Sequence, residues 1–129
     1  MSFSPGDTLF NNSLPGLPSH LWIVISEVTH SSQQVVIVNL TSCRDSADVD
    51  TSCLLNKGEH PFIRHETYVK YSGALVPQVS NLEKLETLAL LTGREPVAQP
   101  LLEKILEGAK TTPFLKLQIQ KILQDQDLI

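Results

Sequence analysis

What the sequence lacks narrows the field first. Its two cysteines, Cys43 and Cys53, form no CxxC pair, so zinc-ribbon spacing is missing and free thiols are the simpler expectation. No apolar segment approaches the roughly 20 residues needed to cross a bilayer, and the opening residues MSFSPGDTLF show no basic stretch followed by an apolar run. A cytoplasmic protein without membrane contact is expected. Positive charge is scarce as well: four basic residues stand against seven acidic ones up to position 77 and six against seven beyond it, for a net charge of −4. Neither part is basic, which counts against broad nucleic-acid binding by phosphate neutralisation, although Lys57, Arg64 and Lys70 fall close together. Asp45, Asp48 and Asp50 lack the glycine and terminal glutamate of a calcium loop and read as a solvated acidic loop. No internal repeat is evident.

What is present is an ordinary globular composition, 41% hydrophobic and 19% charged over 129 residues. That suffices for one compact domain burying roughly two thirds of its extended surface without staples. GDTLF at Gly6 to Phe10 reads as a first strand, and Asn11, Asn12, Pro15, Gly16 and Pro18 then enforce a long loop. LWIVIS (Leu21 to Ser26) and VVIVNL (Val35 to Leu40) are continuous apolar runs rich in β-branched residues. A strand with one wet face alternates polar and apolar residues, so both faces of these two are expected to be covered. Cys53 to Asn56 is a candidate fourth strand, Lys57 and Gly58 a turn, and Tyr68 to Val76 a last strand in which Gly73 signals a bulge or a close approach. Five short strands with long loops suggest a small, partly open barrel.

From Val79 the period changes. SNLE is a capping signal, and Leu82, Leu85, Leu88 and Leu91 continue it into a helix of about three turns ended by Gly93. A second helix is expected from about Val97 to Gly108, with Leu101, Leu102, Ile105 and Leu106 on one side. Thr112 is placed to cap a third, with Pro113 at its first position and Leu115, Ile119 and Ile122 following. The chain thus divides into a β-rich part, residues 1 to 77, and a tail of three helices, residues 78 to 129, packed together as one α+β domain. The tail either completes the core or offers a surface to another protein.

The densest chemistry lies in Lys57 to Tyr71, KGEHPFIRHETYVKY. His60 and His65 point to opposite faces in a straight strand and about 140° apart in a helix. They converge only if Pro61 to Arg64 forms a turn. Three readings compete for the cluster. His60, His65 and Cys53 could offer three zinc ligands, without a recognised spacing. The histidines could tie a loop to the sheet through hydrogen bonds. Or one imidazole removes a proton, another group donates one, and Arg64 or a lysine stabilises a developing anion. The last arrangement suits phosphodiester cleavage by an RNA 2′-hydroxyl, which needs neither metal nor cofactor. His20 stands where the long loop feeds the first apolar strand, and imidazole is the side chain that ionises near neutrality. For it a hydrogen-bonded structural role and a chemical one are both open, whereas His30 reads as a solvated turn residue.

GDTLF, the strand LWIVIS after its long loop, and VVIVNLTS with its terminal Thr41 and Ser42 resemble, in this order and over roughly residues 5 to 76, the barrel strands of PemK/MazF-like toxins of toxin–antitoxin systems. The resemblance implies an SH3-like antiparallel β-barrel, a homodimer, metal-independent endoribonuclease action on single-stranded RNA, and an antitoxin chain laid over the active groove. Thr41 and Ser42 look like the threonine or serine that ends the family's central strand. The family's arginine before the preceding strand is not matched, because His20 stands there, and the glutamine-glycine-arginine-proline run is missing. Either the histidines replace that arginine or the barrel is kept without the nuclease.

The leading expectation is therefore a toxin-like endoribonuclease. His20, His60 or His65 would serve as base and acid, with Arg64 for charge stabilisation and Thr41, Ser42, Lys57 and Tyr68 as substrate contacts. The alternative is a non-enzymatic SH3-like interaction module, to which the acidic balance and the missing arginine point.

Overall fold

The computed structural model describes residues 3–12, 19–45 and 47–129. Pro15, Gly16 and Pro18, which set the long loop, lie outside them. Strands β1 (Thr8–Asn11), β2 (Leu21–Val24) and β3 (Ile37–Ser42) lead through a 3-10 turn to β4 (Leu54–Leu55) and β5 (Thr67–Leu75). Helix α1 (Val79–Thr87), strand β6 (Leu91–Arg94), and helices α2 (Gln99–Thr111) and α3 (Leu117–Asp125) complete the chain.

Among the described residues the strands form one antiparallel sheet in the order β4-β5-β3-β2-β1-β6. The sheet does not close on itself, so of the expected partly open, SH3-like barrel the structure shows an antiparallel sheet that stays open. The α+β class stands. β6 belongs to the stretch expected to be purely helical, and it pairs with β1 from Thr8↔Arg94 to Asn11↔Leu91. The boundary drawn at residue 77 thus runs through the sheet.

The continuous apolar runs follow from cover on both sides. Leu21, Ile23, Val38, Leu40, Val69 and Tyr71 face a core shared with Leu101, Ile105, Ile119 and Leu123 of α2 and α3. Leu9, Val24 and Ile37 face a smaller core with Phe3, Leu82 of α1 and Leu91. The β3 to β5 register slips between Ile37 and Asn39, where the extra residues of β5 bulge around Gly73. A Cβ at Gly73 would come within 3.1 Å of the Asn39 amide, the close approach that the glycine signalled.

α1 is shorter than the leucine spacing suggests. It ends in a Schellman motif, with the Ala89 N–H donating to the Glu86 carbonyl at 3.0 Å and the Leu90 N–H to Leu85 at 2.9 Å. Ala89 takes φ +60°, the left-handed conformation that usually calls for glycine. Leu91 then leaves the helical series for the sheet. α3 begins at Leu117 rather than after Pro113. The Thr112 hydroxyl still caps a turn, accepting from the Phe114 N–H at 3.1 Å and donating to Asp50 at 2.8 Å. Asp50 is accordingly tied to the α2–α3 connection and is not a solvated loop residue.

Candidate functional site

The segment between β4 and β5 is made of two successive turns. In the first, the Glu59 N–H donates to the Asn56 carbonyl at 3.2 Å and Gly58 supplies φ +99°. The Glu59 carboxylate accepts from the Asn56 N–H at 2.6 Å and pairs with Lys104 at 3.1 Å, which fastens the turn to α2. In the second, the Ile63 N–H donates to the His60 carbonyl at 2.9 Å with Pro61 in the leading position that proline favours. This is the turn that the two histidines need in order to converge.

They converge on a groove of about 860 Å³ at one end of the sheet. His20, Thr41, Ser42, His60, Arg64 and His65, six of the eight residues expected from sequence, line it. The remaining two do not. Lys57 stands exposed on the outer turn, and Tyr68 is buried, lining a smaller pocket beside Asp48, Asp50 and Phe114. Lys70, Arg94 and Glu95 complete the charged part of the wall. In a chain of net charge −4, this groove thus gathers the cations Arg64, Lys70 and Arg94 and three imidazoles around one lining carboxylate. Arg64 and Lys70 are exposed and form no ion pair among the described residues.

The three histidines differ in what remains available on each ring. His60 is only 5% exposed. Its Nδ1 accepts from the Phe62 N–H at 3.1 Å, so Nε2 carries the proton and donates to the Glu95 carbonyl at 2.7 Å. The same carbonyl accepts from the Thr8 hydroxyl at 2.9 Å, so one oxygen joins β1, the loop and the end of β6. Both ring nitrogens of His60 are engaged, which makes it a positioning residue. The Nδ1 of His20 lies 3.3 Å from the Leu40 carbonyl, and because a carbonyl can only accept, Nδ1 holds a proton, which in the neutral ring leaves Nε2 as the acceptor. His65 is half-buried in the groove wall, with no hydrogen bond to its ring among the described residues.

Thr41 donates its hydroxyl proton to Asn39 at 2.8 Å, and the Ser42 hydroxyl accepts from the Arg44 N–H at 3.2 Å. Phe62 also lines the groove, with Phe10 behind it. The Arg94 guanidinium lies 5.1 Å from the centroid of the Phe10 ring, and Phe62 meets Phe10 edge-on at 5.6 Å.

The thiols are poor nucleophiles. Burial pushes Cys53 up to about 11, against the opposing effect of its hydrogen bond with Tyr71, and burial together with the Glu66 carboxylate raises Cys43. Cys53 sits in the core beside Tyr71, so the zinc set of His60, His65 and Cys53 does not assemble; among the described residues no metal-binding group of three is formed.

Arg94 was not foreseeable as a site residue from a sequence read as helix up to Gly93. The missing signal was a helix stop without glycine. No family model, curated protein or solved structure matches the chain.

Proposed function

We propose that the protein is a metal-independent endoribonuclease acting on single-stranded RNA, of the kind that the PemK/MazF-like resemblance implies, built on an opened form of the SH3-like barrel. The observation that carries the reading is the groove itself. Residues from four separate parts of the chain, His20, Thr41 with Ser42, Arg64 with His65, and Arg94, line one concave surface that is basic within an acidic molecule.

The free Nε2 of His20 takes the proton of the 2′-hydroxyl, whose oxygen attacks the adjacent phosphorus. The 5′-oxygen leaves with a proton from His65, yielding a 2′,3′-cyclic phosphate and a 5′-hydroxyl end. Arg64, Arg94 and Lys70 offset the charge that develops on the phosphoryl oxygens, and Thr41 and Ser42 position them. His60 holds the turn. A toxin of this kind would work in the cytoplasm as a homodimer, with an antitoxin chain closing the groove.

Incubation of purified protein with single-stranded RNA in chelator tests the proposal. Cleavage is expected, and replacing His20 and His65 together by alanine is expected to lower it by roughly 10²- to 10⁴-fold. RNA left intact at high protein concentration, or a double variant as active as the parent, overturns it.

A non-enzymatic interaction module is the second reading, and one observation favours it. Leu9, Trp22, Leu75, Pro77, Leu82 and Leu85 line an apolar cleft of about 270 Å³ on the α1 side of the sheet. Intact RNA together with a stable co-purifying partner would select that reading.

A further inference from the structure

The cations and histidines of the groove account for a phosphate chain and for chemistry on it, yet they leave Phe62 unexplained. Its ring is 40% exposed, although Ile63 beside it is buried and the Phe10 surface it touches is already covered by Arg94. A phenylalanine that served only as cover would gain from turning inward. Phe62 is prevented from doing so by its own backbone. Its N–H is held by His60 Nδ1, and His60 is anchored through Nε2 to the Glu95 carbonyl. The turn that buries His60 and Ile63 leaves the two residues between them, Pro61 and Phe62, facing the groove.

Resting on the single-stranded RNA reading above, we infer that Phe62 is a nucleobase-stacking subsite of the groove. It is a flat ring fixed by the His60 turn and braced by Phe10, over which Arg94 lies, and it takes the base of a nucleotide whose phosphates lie on Arg64, Arg94 and Lys70. Single-stranded nucleic-acid sites combine these two elements, a cationic track for the backbone and aromatic faces for the bases, and stacking tolerates any base because each has a π-face. The subsite therefore supplies affinity for a splayed single strand and discriminates against a paired duplex, whose bases are not available to it.

The test compares two probes by fluorescence anisotropy: an uncleavable 2′-O-methyl single-stranded oligoribonucleotide, and inorganic polyphosphate as competitor, which has the charge but no bases. Phe62→Leu, which keeps an apolar cover over Phe10, and Phe62→Ala are each expected to weaken oligonucleotide binding by roughly 5- to 100-fold, with polyphosphate competition unchanged. Phe62→Trp is expected to retain oligonucleotide binding, with indole fluorescence quenched on stacking. If the parent binds both probes and Phe62→Leu binds the oligonucleotide equally well, stacking is overturned while the RNA groove stands. Equal losses for both probes reduce Phe62 to a structural cover and likewise overturn stacking. If the parent fails to bind the oligonucleotide at all, the single-strand reading falls and takes the subsite with it.

Discussion

Two margins of the sheet end in surfaces of opposite character. At the end beside the β4–β5 loop, the sheet opens into a groove of cations and imidazoles with two phenylalanines behind them. On the side covered by α1, it leaves a dry cleft, and nearby Leu75 and Leu88 are 49% and 61% exposed. Cover is nearly complete over the middle strands on both faces and fails only at the margins. α1 is too short to reach past Leu88, and the β4–β5 loop is folded into two turns by its own hydrogen bonds. Interruptions in secondary structure, rather than unusual residues in the strands, create both surfaces.

Charge reversal separates the two most sharply. Arg64→Glu with Lys70→Glu is expected to weaken binding of single-stranded RNA about 100-fold or more at moderate salt, since two phosphate contacts become repulsive. Leu75→Glu with Leu88→Glu should leave that binding within about twofold, which anisotropy titrations at one fixed salt concentration would check. Equal effects from both pairs would erase the distinction between the two surfaces.

The next contrast lies within the groove. His60→Ala removes two hydrogen bonds from a buried site and strands the Phe62 N–H, so a loss of about 2–3 kcal/mol is expected in urea unfolding. His20→Ala, at a half-exposed position with one long hydrogen bond, should cost no more than about 0.5 kcal/mol. A third measurement belongs to neither surface. The Cys53 thiol is raised to about 11 in the fold against 9.0 for the ordinary value. Below pH 9 both states keep the proton. As pH rises from 9 towards 11 only the unfolded state ionises, so stability is lost over that window, by roughly 1–2 kcal/mol. Cys53→Ala should flatten that part of the unfolding-versus-pH profile, while the alkaline loss from Tyr71, also raised by burial, persists. A further effect is expected beside the apolar cleft. Ala89→Gly relieves a left-handed residue at the end of α1 and should add about 1 kcal/mol, read as a higher urea midpoint, with RNA binding unaltered.

Much of the fold could be read because its determinants are local. Strands β1, β2 and β3 declare themselves as apolar runs, Lys57 and Gly58 as a turn, and α2 by its leucine and isoleucine spacing. The groove was partly legible for the same reason. His60, Arg64 and His65 are neighbours in sequence, and Pro61 announces the bend that brings them together. What could not be read depended on distant partners. Leu91 to Arg94 has no strand signature of its own and becomes β6 because the edge of β1 is there to receive it. Arg94 enters the site by that route. Ala89 stops α1 at a conformation that a sequence reader assigns to glycine, so the leucine series appeared to continue. Tyr68 and Lys57 had the right chemistry but the wrong placement, which strand parity and the Asn56 to Glu59 turn decide.

The pairing of β6 with β1 also fixes when the groove can exist during synthesis. The Arg94 guanidinium and the Glu95 carbonyl that anchors Thr8 and His60 come from far along the chain. A nascent polypeptide that has not yet emerged past these residues holds its histidines without the wall that orients them, and β1 remains an unpaired edge open to aggregation. A ribosome-bound fragment, or a gene product truncated before Leu91, therefore lacks an assembled groove. An activity that depends on the groove would accordingly wait until synthesis has passed Glu95.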